Sequence, residues 1–198
     1  GPFEGCTMLH DVHEIGGHPF VDDDGKVYVT LCRFDFGSNL YIEEVAVKDG
    51  VITPKPETCK MILYPQTAYE VNGRGRTVEG GVPWKHGDYY YMIYAVGSYK
   101  LHYGQSYAVS KSIYGPYEKY EYNPFLVYNA AVDGPGDAVI MPSPDGKELY
   151  LVYHQHNAIG TVSPRMTCID RLKFVPNPDG GPDVLVTAGP SSTPQPVP

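Results

Sequence analysis

The chain has 198 residues, the length of one domain or slightly more. Hydrophobic residues make up 42 %, which excludes a globally disordered chain, and a formal net charge of −8 disfavours nucleic acid and anionic membranes as partners. No run is apolar for long enough to span a bilayer as a helix, and no charged-then-apolar leader opens the sequence, so secreted and cytoplasmic locations both stay open.

In chain order, GPFEG at Gly1 looks like the closing strand of a unit that precedes the chain. His10 and His13 have a spacing that suits zinc, but no third ligand converges on them, so they read as loop histidines. From His18, HPFVDDDGKVYVTLCRF gives a short apolar strand, a polar turn and a second strand. Asp22, Asp23 and Asp24 are assigned to the exposed turn rather than to a calcium loop. A further strand, SNLYIEEVAV, begins at Ser38. The pattern returns as GVPWKHGDYYYMIYAV from Gly81 with YGQSYAVSKS from Tyr103. It returns again as DAVIMPSPDGKELYLVYH from Asp137 with RMTCIDRLKF from Arg165. The second unit closes with GPYEKY at Gly115.

The turn glycines Gly25, Gly87 and Gly146 recur at a spacing of about sixty residues, on the scale of a propeller blade. Eighteen tyrosines, 22 glycines and 19 prolines, with no sustained 3.6-residue period, predict an all-β chain with few helices. The competing reading is a β-sandwich with chance similarity, which three matched turns disfavour. Three blades fall short of the four to eight with which propellers typically close. The expected folded species is therefore a homo-oligomer, a complex with a partner, or the later part of a longer parent. Cysteines stand at 6, 32, 59 and 168 without a C-x-x-C pair; Cys32 reads as a buried thiol, and one disulfide of unspecified pairing is allowed.

The segment from Thr77 to Pro124 carries a Glu-Gly pair, a short strand, a Gly turn, a tyrosine strand and a G-P-Y closer before Asn-Pro. In this combination it resembles the acid-bearing blade of glycoside hydrolase family 43. HPFVDDDGKVYV resembles the preceding blade of that family, and DGPGDAVIMPSPDGKELYLVYHQH with PRMTCIDRLKF resembles its last. The resemblance implies a five-bladed β-propeller of which this chain supplies about three blades. The expected divisions are 1–17 as the end of a preceding blade with a connecting loop, 18–76, 77–132, and 133–198 as the last blade and tail. It also implies an inverting glycosidase of the α-L-arabinofuranosidase or β-xylosidase type, acting on arabinose- or xylose-containing plant polysaccharides.

Inverting hydrolysis needs a carboxylic acid to protonate the leaving oxygen and a carboxylate base to activate water. Glu79 matches the family's proton donor by position. The family's second carboxylate, which tunes that acid, falls on Gly16 of Ile15-Gly16-Gly17-His18, where no side chain exists. Asp11 and Glu14 are near enough in sequence to substitute for it. The family's base lies on a blade that no segment here matches. Asp137 stands where relatives often carry a histidine facing a central ion; it is a Ca²⁺ ligand in the central cavity or a hydrogen-bonding residue, and no cofactor is required. His154 and His156 share a strand face and read as packing near the axis. Trp84 is a candidate sugar-stacking platform. His18, Phe20, Tyr107 and Arg165 are the other substrate-binding candidates. The competing function is a non-catalytic carbohydrate-binding propeller or an inactive remnant of such an enzyme.

Overall fold

A computed structural model describes residues 8–71 and 75–195. The expected opening strand GPFEG and Cys6 lie outside the described residues. Among the described residues the chain forms three antiparallel sheets and a single three-residue 3-10 helix, Pro56–Thr58. The first sheet holds β1 (Glu14–Val21), β2 (Val27–Phe34), β3 (Ser38–Lys48), β4 (Val51–Pro54) and β5 (Lys60–Leu63). The second holds β6 (Val78–His86), β7 (Tyr89–Ser98), β8 (Leu101–Ser110) and β9 (Glu118–Lys119). The third holds β10 (Gly136–Pro142), β11 (Leu149–His156), β12 (Arg165–Val175) and β13 (Val184–Thr187). The second and third are simple meanders in chain order, and the first differs only in that β4 and β5 both pair with β3. Strand β1 begins at Glu14, four residues before the expected start at His18. Its first half carries Gly16 and Gly17, which offer no apolar alternation to read.

The sheets pack in sequence order, because the middle one is apolar on both faces. In β7, Tyr91 and Ile93 face the third sheet and join Tyr107, Leu126, Ala138, Leu151, Tyr153 and Leu185 in one core layer. Met92, Tyr94 and Val96 face the first sheet and join Cys32, Leu40, Leu63 and Val78 in another. Burying each such aliphatic side chain stabilises by roughly 1.5–3 kcal/mol. Three of the core tyrosines keep their hydroxyls paired. Tyr91 donates to the Asp183 carbonyl at 2.6 Å, Tyr94 to Glu70 Oε1 at 3.0 Å, and Tyr153 to Asp170 Oδ2 at 2.5 Å. The DDD turn is less exposed than expected. Asp22 turns inward to accept from Lys85 Nζ at 2.9 Å and from the Tyr90 hydroxyl at 2.6 Å, which ties the first sheet to the second.

One irregularity recurs at the start of every sheet. Register slips by one residue between Ile15 and His18 in β1, between Glu79 and Val82 in β6, and between Gly136 and Val139 in β10. Each is a β-bulge whose second residue is left-handed: Gly16 (φ 65°), Gly80 (φ 60°) and Asp137 (φ 50°). Aspartate is one of the few residues with a side chain that tolerates this conformation. The bulges stack on one another. A Cβ added at Gly16 would meet the Gly80 Cα at 3.6 Å, and one added at Gly80 would meet Asp137 Oδ1 at 2.9 Å. The repeat thus aligns Ile15 with Glu79 and Gly136, and Gly16 with Gly80 and Asp137.

Candidate active site

Glu79 pairs with Ala95 in the β6–β7 ladder at the edge of the bulge, and its side chain is partly buried. Its Oε1 accepts the Tyr103 hydroxyl at 2.8 Å, and the same hydroxyl lies 3.3 Å from Asp137 Oδ1. Tyr103 reaches between the two carboxyls because Gly136 has no side chain; a Cβ there would run into the Tyr103 ring. The fully buried Gln105 supports the arrangement by accepting the amide of Ala138 at 3.4 Å, next to Asp137. Arg165, at the start of β12, brings Nη1 within 3.7 Å of Asp137 Oδ2, and His154 Nδ1 is 3.6 Å from the same oxygen.

Burial is the largest influence on Glu79 and pushes its carboxyl above the ordinary range. The Tyr103 hydrogen bond pulls it down, the Asp137 charge pushes it up, and Arg165 pulls it down. The net effect is a carboxyl that keeps its proton to higher pH than an ordinary glutamate, the direction a proton donor needs. Burial, and the charge of Arg165 after it, hold His154 down at about 4, so its ring stays neutral. Tyr103, buried beside two carboxyls, is pushed well above its ordinary value and remains a hydroxyl.

The structure brings three of the sequence candidates together: Glu79, Asp137 and Arg165. Tyr103 completes the group. Nothing in the sequence singled it out among 18 tyrosines, because only the fold shows that the residue opposite it is glycine. Neither Asp11 nor Glu14 shares a hydrogen bond or ion pair with Glu79. Glu14 binds His10 Nδ1 at 2.8 Å and Arg33 Nε at 2.5 Å, and Asp11 lines a separate cleft with His13 and Tyr41. His18 is half-buried in β1, its imidazole pKa lowered by burial. Phe20 packs edge-on to Tyr90, and Trp84 packs against the core between the second and third sheets. Tyr107 is 1 % exposed and stacks on Tyr120 at 4.7 Å, beside an open cleft of about 500 Å³ lined by Tyr89, Lys111 and Tyr120. His154 and His156 do share a face, with ring centroids 6.4 Å apart.

Among the described residues no group of three or more His, Cys, Asp or Glu side chains is placed to hold a metal ion. Asp137 has the Arg165 guanidinium as its neighbour, so this chain's own residues do not fit a Ca²⁺ ion there. Cys32, Cys59 and Cys168 are free thiols.

Comparison with known proteins gives consistent relatives. The model of the family described as glycosyl hydrolases family 43 matches residues 1–182. A xylan 1,3-β-xylosidase of a Vibrio species is 32 % identical over 113 residues, which are 54 % of this chain and 19 % of that protein. The β-D-galactofuranosidase xynD of Aspergillus niger is 29 % identical over 185 residues, 88 % of this chain and 49 % of that protein. Among solved structures, a thermostable family-43 glycoside hydrolase superposes with a TM-score of 0.85 at 29 % identity, over 100 % of this chain and 66 % of its own. An endo-1,4-β-xylanase from Bacteroides thetaiotaomicron gives 0.84 at 27 % identity, over 96 % and 64 %. The chain therefore spans about half or less of the curated relatives and just under two thirds of these solved structures.

Proposed function

The chain belongs to glycosyl hydrolase family 43, and on that premise we propose that it forms the acid-bearing part of an inverting glycosidase with Glu79 as general acid. The observation that carries this reading is the setting of Glu79: a partly buried carboxyl at a β-bulge, keeping its proton to higher pH than an ordinary glutamate, beside a tyrosine, an aspartate and an arginine. In the proposed reaction the Glu79 proton passes to the glycosidic oxygen as the bond to the anomeric carbon breaks. Water attacks that carbon from the opposite face and gives its proton to a carboxylate base. Inversion places that base about 6.5–9.5 Å from the acid, which leaves room for the water. We assign the base to a blade beyond these three sheets, and read the sheets as three blades of a five-bladed propeller. The two thirds span against solved relatives supports that reading.

The proposed substrates are xylosyl or arabinosyl linkages of plant polysaccharides. The xylosidase relative supports the first, and the galactofuranosidase relative extends the class to furanosides. A second reading, a carbohydrate-binding propeller without turnover, is favoured by one observation: Gly16 offers no carboxylate where the family places one. The test is release of reducing sugar from xylo-, arabino- and galactofurano-oligosaccharides, whose poor leaving groups need the acid, with wild type compared to Glu79→Ala, alongside calorimetric titration with xylo- and arabino-oligosaccharides. Turnover abolished by the substitution, with thermal unfolding unchanged, supports the acid role. Equal turnover in both proteins would overturn it, and oligosaccharide binding without turnover in either would establish the second reading.

A further inference from the structure

The geometry points to Asp137 as the positioning residue that holds Glu79 in its acid form, a carboxylate supplied by the third sheet in place of one at position 16. This rests on the acid role proposed for Glu79. Gly16, Gly80 and Asp137 are the same bulge position in three successive sheets, and the three bulges stack. A carboxylate on either side of Gly80 therefore borders Glu79. The first sheet has glycine in this place, and the third has aspartate.

Asp137 works through two other side chains. A tyrosine hydroxyl has one proton to donate. When it turns to Glu79 at 2.8 Å it stabilises the ionised form, and when it turns to Asp137 at 3.3 Å that support is withdrawn. Arg165 is the other group that favours an ionised Glu79, and Asp137 draws it to its own Oδ2 at 3.7 Å. Asp137 thus competes for both groups that would otherwise strip Glu79 of its proton, and adds the repulsion of a like charge. The remaining titratable neighbours do not substitute for it. His154, on β11, stays neutral, and the Cys32 thiol, on β2, is pushed up to about 12 by burial, with the Glu79 charge adding. Asp137 is half exposed, so its direct charge effect is partly screened by water; competition for Tyr103 and Arg165 is the larger part of its role.

The experiment follows the Glu79 carboxyl carbon by NMR during pH titration, with the resonance assigned by its loss in Glu79→Gln. Asp137→Asn is expected to move the Glu79 midpoint down. It should carry the alkaline limb of the pH–rate profile with it, costing about tenfold in the protonated fraction for each pH unit of the fall. Gly16→Asp in the Asp137→Asn background is expected to move the midpoint back up. Aspartate tolerates φ 65°, and the added Cβ meets nothing nearer than 3.6 Å. An unmoved midpoint in Asp137→Asn, with activity lowered equally at every pH, would overturn the proposal and leave Asp137 a structural residue. So would a double variant that keeps the single variant's midpoint. A midpoint that shifts as described in a protein that carries the base-bearing blade yet shows no turnover at any pH would uphold the role of Asp137 and sink the acid role of Glu79.

Discussion

Gly80→Ala and Gly87→Ala form a matched pair that separates backbone strain from the contact at the site. Both glycines are left-handed, at φ 60° and φ 57°. A methyl at Gly87 meets nothing within 4 Å, whereas at Gly80 it meets Asp137 Oδ1 at 2.9 Å. Left-handed backbone costs an alanine about 1–2 kcal/mol relative to glycine. The extra contact at Gly80 is with the far end of a flexible, half-exposed carboxylate, which swings aside at little cost. The two variants should therefore lose similar stability, within about 0.5 kcal/mol of each other. For a chain of this size that is a fall in Tm of about 2–8 °C, measured by calorimetry. Their effects on the site should differ. Gly80→Ala displaces Asp137 from Tyr103 and lowers the Glu79 midpoint; Gly87→Ala leaves it in place. Indistinguishable Glu79 titrations in the two variants would refute the stacked-bulge reasoning. A stability loss in Gly80→Ala exceeding that of Gly87→Ala by about 2 kcal/mol or more would show that Asp137 is rigidly held, and would refute the account of a carboxylate free to swing.

Glu79→Gln should cost about 10²- to 10⁴-fold in turnover on substrates with poor leaving groups, and least on nitrophenyl reporters, which need little protonation. The same substitution changes the pH dependence of stability. Because the folded-state pKa of Glu79 is raised, its stabilising contribution is full below the unfolded carboxylate value and is lost as pH rises through the folded value. Urea midpoints of wild type should therefore fall relative to Glu79→Gln between acid and neutral pH; parallel curves would contradict this. Lys119→Met should destabilise by roughly 3 kcal/mol in urea unfolding, because it removes the counter-charge of the buried Glu70 carboxylate, to which Lys119 Nζ donates at 2.7 Å, and leaves that group its backbone amides and Tyr94 only. A loss below about 1 kcal/mol would show that this pair contributes little. Cys32, fully buried with its thiol pushed up to about 12, should resist alkylation in the native protein at neutral pH and react on unfolding; native reaction at Cys32, mapped by mass spectrometry, would contradict its placement.

The three sheets were legible because the turn glycines, the tyrosine strands and the third strands recur at matching offsets; β3 and β12 include the segments read from Ser38 and Arg165, and β8 covers the one read from Tyr103 as far as Ser110. The site was legible only in part. Glu79 stood out through the resemblance, but the Glu79–Tyr103–Asp137 contact links residues 24 and 34 positions apart that meet only when two bulges stack. Bulges leave little mark on a sequence beyond a glycine, and in β10 the left-handed residue is an aspartate, so the equivalence of positions 16, 80 and 137 was hidden. Asp11 and Glu14 attracted attention by proximity along the chain. The fold gives Glu14 to His10 and Arg33 instead, since β1 pairing sets Glu14 opposite Arg33. Phe20, Trp84 and Tyr107 carry the residue types of a sugar platform; in the fold Tyr107 is a core residue, and Phe20 and Trp84 are partly buried against the packing layers.

The most direct measurement is a crystal structure of the Glu79→Gln protein with a bound xylo- or arabino-oligosaccharide. The glycosidic oxygen is expected within about 2.6–3.2 Å of the residue 79 side chain, over the stacked bulges of β1, β6 and β10. A sugar seated instead in the cleft beside Tyr89 and Tyr120, with the residue 79 side chain touching no part of it, would contradict it.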